Sequence, residues 1–149
     1  MIDEGVTWIV AADGAHMRVF EERRRAGEVR ELSGEALRTE EHDRPRSHAH
    51  AATVHERAGQ GRHGDRETPP AQEAETRFLG RAAERIDVAA RRKAFERLVI
   101  MAPPHALGVL RQKLPQAVLA MVETTDAHNR LQDDAEAIRN HLRLARARA

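Results

Sequence analysis

Arg97-Leu98-Val99-Ile100-Met101-Ala102-Pro103-Pro104 decides the fold. Leu98 to Met101 is an apolar run too short for an ordinary helix, and Val and Ile favour strands. Its apolarity is continuous rather than alternating, which predicts a strand covered on both faces. Pro103 and Pro104 cannot donate to a β-ladder, so the strand must stop there. Proline is tolerated in the first turn of a helix, so Pro104 can open the next one. Leu107, Leu110 and Leu114 then recur at helical spacing until Pro115 ends the pattern.

Upstream, Thr7-Trp8-Ile9-Val10-Ala11-Ala12 predicts a first strand, and Asp13-Gly14 a tight turn in which glycine supplies a positive φ. His16-Met17-Arg18-Val19-Phe20 pairs back as a second strand. Val29 to Leu37 reads as a third strand, weakened by Ser33-Gly34 and therefore placed at an edge. Ala74, Phe78, Ala82, Ile86 and Ala89 or Ala90 mark a long helix after Pro69-Pro70. Residues 117–122 fit either strand or helix, with a last strand expected around Ala120 to Thr125. Asp133-Asp134-Ala135-Glu136 has the form of a capping box with Asp133 as the cap. A final helix places Ile138, His141, Leu142 and Ala145 on one face. The predicted order is β-β-β-α-β-α-β-α, an α/β fold with a mixed sheet.

Between Thr39 and Pro70 the periodicity disappears. Arginines, glycines and His42, His48, His50, His55 and His63 replace large apolar residues. Such a stretch cannot offset its ordering entropy by burial, so a long mobile polar loop is expected before the first helix. At 149 residues the chain has the size of one domain, residues 1–149, with one core.

Composition narrows the function. Hydrophobic residues make up 40% and charged residues 33%; 25 basic against 24 acidic side chains leave a net charge of +1. No global field for nucleic acid or membrane follows, so local clusters must supply any attraction. The absence of cysteine excludes disulfide and thiolate chemistry. With no tyrosine and one tryptophan, an aromatic base-stacking platform is excluded as well. An acidic N-terminus (Asp3, Glu4) and no run near the roughly 18 apolar residues of a membrane helix imply a cytoplasmic chain without membrane partners.

Several strings together resemble a known family. They are residues 7–14, Arg18-Val19-Phe20, residues 95–104, Leu107-Gly108, Leu110-Arg111 and His141-Leu142. They are similar to a bacterial family named for attachment to host cells. Its members resemble the central domain of archaeal and eukaryotic peptide-chain release factors. The likeness spans most of the chain apart from residues 39–70, and it implies a ribonuclease-H-like sheet and a translation-associated role.

The candidate chemistry divides accordingly. Asp13 could serve a metal-dependent nuclease only if other carboxylates converged on it, and the central strand supplies none, so it reads as a turn residue. The loop histidines lack the cysteine partners or His-x-x-x-His spacing of a zinc site, so no metal is expected. Gly59-Gln60-Gly61-Arg62-His63-Gly64 spells a dinucleotide fingerprint but follows no strand, so no cofactor is assigned. Neither Ser33 nor Ser47 sits in a nucleophile elbow. The release-factor domain carries Gly-Gly-Gln before its long helix, where this chain has Gly-Gln-Gly, which raises a peptidyl-tRNA hydrolase-like alternative. Arg57, Gly59, Gln60, Gly61, Arg62, His63 and Arg66 are the candidate RNA contacts, since Arg/Gly-rich segments fold onto phosphate. Arg23-Arg24-Arg25 is offset by Glu21 and Glu22, whereas Arg143, Arg146 and Arg148 form an uncompensated basic tail. The leading expectation is a non-catalytic accessory protein that binds RNA or the ribosome. The alternative is a protein-interaction factor in host attachment.

Overall fold

The structure, a computed structural model, describes residues 5–40 and 70–149. β1 (Thr7–Ala12), β2 (His16–Glu22), β3 (Val29–Glu31) and β4 (Leu37–Arg38) precede α1 (Pro70–Arg91). Then follow β5 (Arg97–Met101), α2 (Pro104–Lys113), the single turn α3 (Gln116–Leu119), β6 (Val122–Asp126) and α4 (Ala135–Arg148). The six strands form one mixed sheet in the order β3-β2-β1-β5-β6, with β4 also paired to β2. β1 is antiparallel to β2 and parallel to β5, and β5 is parallel to β6.

Every residue of β1 is buried, as is β5 from Leu98 to Met101. The cause is a helix layer on each side. Trp8, Val10, Leu98 and Ile100 face α1 and α2, packing with Phe78, Leu79, Ile86, Leu107 and Leu110. Ile9, Ala11, Val99 and Met101 face the other way, onto Ile138 and Leu142 of α4. The continuous apolar run therefore divides between two cores, as period-2 geometry requires of a doubly covered strand. The Trp8 and Phe95 rings meet at 5.1 Å beneath α1. Pro103 is the residue before α2, with Pro104 in its first turn, and Leu114 closes that helix just before Pro115.

Several expectations need correction. The third strand is two short strands with a 3₁₀ turn at Ser33–Glu35 between them, because Ser33-Gly34 breaks the ladder on the edge of β2. The opening of the chain is thus four strands rather than three. The ambiguous stretch becomes α3 followed by β6, which runs from Val122 to Asp126 rather than from Ala120. Asp134, not Asp133, caps α4: its carboxylate accepts from the Ala137 N–H at 2.9 Å. Gly14 has no positive φ; the left-handed residues are Ala26 and Lys93. What excludes a side chain at Gly14 is space, since an added Cβ would lie 2.5 Å from Glu75 Cγ in α1.

Candidate functional site

Glu22 ends β2 two residues after Phe20, which places it on the α4 side of the sheet. It is only 1% exposed. Its partner is Arg146, one helical turn beyond Leu142 on the buried stripe of α4. Arg146 donates to both Glu22 oxygens, at 2.8 and 2.7 Å, and to Glu123 at 3.0 and 3.2 Å. Arg25 donates to Glu123 at 2.7 Å. Burial pulls the Arg146 pKa down, but the hydrogen bonds it donates to Glu22 and Glu123 outweigh it and hold the guanidinium above its ordinary value. Burial likewise raises the Glu123 carboxyl, yet Arg146 and Arg25 leave it below its ordinary value. Both groups stay charged.

This network fixes the turn that follows β2. The Ala26 N–H donates to Glu22 at 2.9 Å, and Arg139 donates to the Ala26 carbonyl at 3.1 Å. Ala26 sits at φ 66°, and a Cβ at Gly27 would lie 2.9 Å from the Arg24 carbonyl oxygen. The turn is therefore held against the last half of α4. Between them lies a cleft of about 330 Å³ lined by Glu22, Arg25, Arg139, Leu142, Arg143 and Arg146, among others.

The charge balance of this rim differs from the sequence reading. Arg146 is not an uncompensated tail residue; it is the most heavily paired cation of the group. Glu22 does not offset the Arg23-Arg24-Arg25 run, because Arg146 takes it, and Glu21 pairs with Arg23 and Arg30. Among the described residues Arg24, Arg139, Arg143 and Arg148 consequently have no carboxylate partner. Arg139 is bonded to a carbonyl and Arg143 to the Asn140 side chain. Arg139 and Arg143 thus line the cleft as guanidinium groups without carboxylate partners, chemistry suited to phosphate or sulfate oxygens.

At the opposite, carboxyl edge of the parallel strands, Asp13 accepts the Ala15 and His16 N–H groups at 2.9 Å each. That is the turn role read from the sequence. Asp126, at the end of β6, is 2% exposed and accepts from Arg130 at 2.9 Å, with His128 Nδ1 at 2.6 Å. Its carboxylate is engaged by the loop that follows. Among the described residues no three metal-ligating side chains cluster, and no helix is long and apolar enough to cross a membrane. Arg57, Gly59, Gln60, Gly61, Arg62, His63 and Arg66 lie outside the described residues, as do the loop histidines.

Sequence reasoning missed the Glu22–Arg146 pair and the part played by Arg139. One signal was present: Arg146 interrupts the apolar stripe running through Ile138 and Leu142, and an arginine there demands a buried acceptor. Nothing in the sequence identified Glu22 as that acceptor, since the two are 124 residues apart.

No curated protein matches the chain, so no match extends the likeness to peptide-chain release factors. Residues 8–142 do match one family, described as a protein required for attachment to host cells. That stretch takes in nearly all of the sheet, the α1 and α2 layer, α4 as far as Leu142, and Arg24, Arg25 and Arg139 of the rim, and the chain belongs to this family.

Proposed function

We propose that this host-attachment-family protein works by binding rather than by catalysis, as a cytoplasmic factor associated with RNA. Its arginine rim takes the phosphate backbone. The observation that carries the reading is that Arg139 and Arg143 line one cleft without carboxylate partners among the described residues, with Arg24 on the turn at its edge and Arg148 at the end of α4. Guanidinium groups bind phosphate oxygens in bidentate fashion, and their attraction is independent of base sequence. The buried network adds preorganisation: Arg146 and Arg25 consume Glu22 and Glu123, so those carboxylates cannot neutralise the outer cations.

The test is fluorescence anisotropy with a short single-stranded RNA across a salt series. Engagement of three or four phosphates predicts a log–log slope of roughly −2 to −3. Arg143 and Arg148 are exposed and hold no ion pair, so Arg143→Glu with Arg148→Glu should weaken binding at least tenfold without unfolding the chain. Binding that is flat with salt, or unchanged in the double variant, rejects the reading. Tighter binding to a sulfated polysaccharide than to RNA would reassign the rim to an extracellular polyanion.

A further inference from the structure

A second cleft, of about 640 Å³, opens at the carboxyl edge of the sheet, away from the arginine rim. It lies between the start of β2 (His16, Met17, Arg18), the β4 segment (Ala36, Leu37, Arg38) and the loop after β6 (Asn129, Leu131, Gln132). The carboxyl ends of strands are where open α/β sheets place their ligands, and the volume lies within the range of small-molecule sites. Its walls are fixed. Arg18 binds Glu31 through Nε and Nη2, at 2.9 and 2.8 Å. Through Nη1 it holds the Leu131 and Asp133 carbonyls, at 2.7 Å each. The Leu131 N–H donates to the Asn129 side chain at 2.9 Å. The loop that closes the cleft is thus tied to β2 before any ligand arrives.

We propose that this cleft binds a purine nucleoside monophosphate. Three features of the lining select that chemistry. Leu37 and Leu131, both half-buried, provide apolar contact suited to the faces of a flat ring, with Met17 packed behind them at the base of the cleft. Asp13 accepts two backbone donors on Oδ1, while among the described residues Oδ2 meets only the Asn129 amide, at 3.4 Å. A carboxylate oxygen with spare capacity, in a cleft that Gln132 also lines, can read the N–H edge of a base. Arg38 is exposed, has no partner among the described residues, and stands at the same mouth, where it can meet a phosphate. A fatty acyl chain would leave Asp13 and Asn129 facing hydrocarbon, at a desolvation cost. A sugar would lack the aromatic platform it stacks on, since no Phe or Trp lines the cleft. This inference does not depend on the rim: the two sites share no residue.

The experiment is isothermal titration of the full chain carrying Arg143→Glu and Arg148→Glu, so that the rim does not compete. The probes are AMP, GMP, the matching nucleosides and inorganic phosphate. A ligand of this size in such a cleft is expected to bind with Kd on the order of 10 µM. Arg38→Ala should weaken the monophosphates about tenfold and leave the nucleosides unchanged. Ala36→Phe narrows the cleft and should abolish both, with the thermal unfolding midpoint measured in parallel to show an intact fold. Inorganic phosphate binding as tightly as the nucleotides would overturn the proposal in favour of a simple anion site. No heat at millimolar nucleotide, or binding indifferent to Arg38→Ala and Ala36→Phe together, would overturn it outright.

Discussion

Arg146→Met is the perturbation that tests the architecture of the rim most directly. The substitution keeps an unbranched side chain on α4 and removes the guanidinium. Glu22 then loses both close cationic contacts, at 2.8 and 2.7 Å, and keeps the Ala26 N–H. Glu123 retains Arg25 at 2.7 Å, so the penalty falls chiefly on Glu22, which is 1% exposed. A buried carboxylate stripped of its partner costs about 3–5 kcal/mol. A domain of this size is stable by about 5–15 kcal/mol, so the variant should lose roughly a fifth or more of its margin. Urea denaturation followed by circular dichroism measures it. The decisive comparison is the double variant Glu22→Gln with Arg146→Met, in which no buried charge is orphaned. It should recover at least about 2 kcal/mol relative to the sum of the two single losses, the coupling expected of residues in direct contact. Arg143→Met, on the exposed side of the same helix, should change stability by no more than about 0.5 kcal/mol. An Arg146→Met loss under about 1 kcal/mol, or a double variant no better than additive, would refute the claim that Glu22 is a committed buried charge.

Two further outcomes follow from particular contacts. Gly14→Ala should cost about 1 kcal/mol, because its Cβ would press on the Glu75 side chain, and the loss should vanish in Gly14→Ala with Glu75→Ala; a backbone cause would leave it in place. Stability should also fall in acid. Burial raises the Asp126 carboxyl, but hydrogen bonds from His128 and Arg130 win and hold it below its ordinary value; the Arg18 hydrogen bond lowers Glu31, and Glu123 is lowered as described. A carboxyl lowered in the folded state contributes stability that is fully present above its unfolded pKa and lost as pH falls through the folded one. The urea midpoint should therefore hold steady from pH 7 to about 5 and drop below about pH 4, with a shallower drop in Arg130→Met; equal slopes would show that the pairing of Asp126 is not the cause.

The layered sheet was legible because burial on two faces leaves a mark on residue type. Leu98 to Met101 and Trp8 to Ala12 admit no polar residue, and Pro103-Pro104 and Pro115 punctuate the chain where backbone chemistry forbids anything else. The edge was less legible. Val29 to Leu37 is short and half-exposed, so local turn preference at Ser33-Gly34 competed on equal terms with strand pairing and divided the element in two. Asp133 and Asp134 are equivalent as caps in sequence. The structure separates them, since the Asp133 N–H is used in a turn to the Arg130 carbonyl and its carboxylate faces His141 at 3.4 Å. The rim was illegible for a different reason. Charge offset was read between neighbours in sequence, whereas ion pairs form between neighbours in space.

That distinction governs how a chain with a net charge of +1 can present a basic face. Cancellation is local to the fold. Once Arg146 reaches across from α4 to Glu22, the arginines of the β2–β3 turn lose the carboxylate that flanks them in sequence. The same contact draws the turn against the helix, so the pairing that removes one positive charge leaves Arg139 and Arg143 lining a cleft, with Arg24 and Arg148 on the adjoining turn and helix end. Reversing the pair tests that division between buried organiser and outer contact. A chain with Glu22→Arg and Arg146→Glu keeps the net charge and the two opposite charges but reverses their positions. The swap keeps two opposite charges in contact, but position 22 can no longer accept the Ala26 N–H and a carboxylate at position 146 stands beside Glu123, so the turn should loosen while Arg143 and Arg148 remain on the exposed face of α4. RNA affinity should then fall by less than in Arg143→Glu with Arg148→Glu, because the outer arginines stay in place. An equal or larger fall would mean that Arg146 itself touches the ligand, and the division between buried organiser and exposed contact would have to be abandoned.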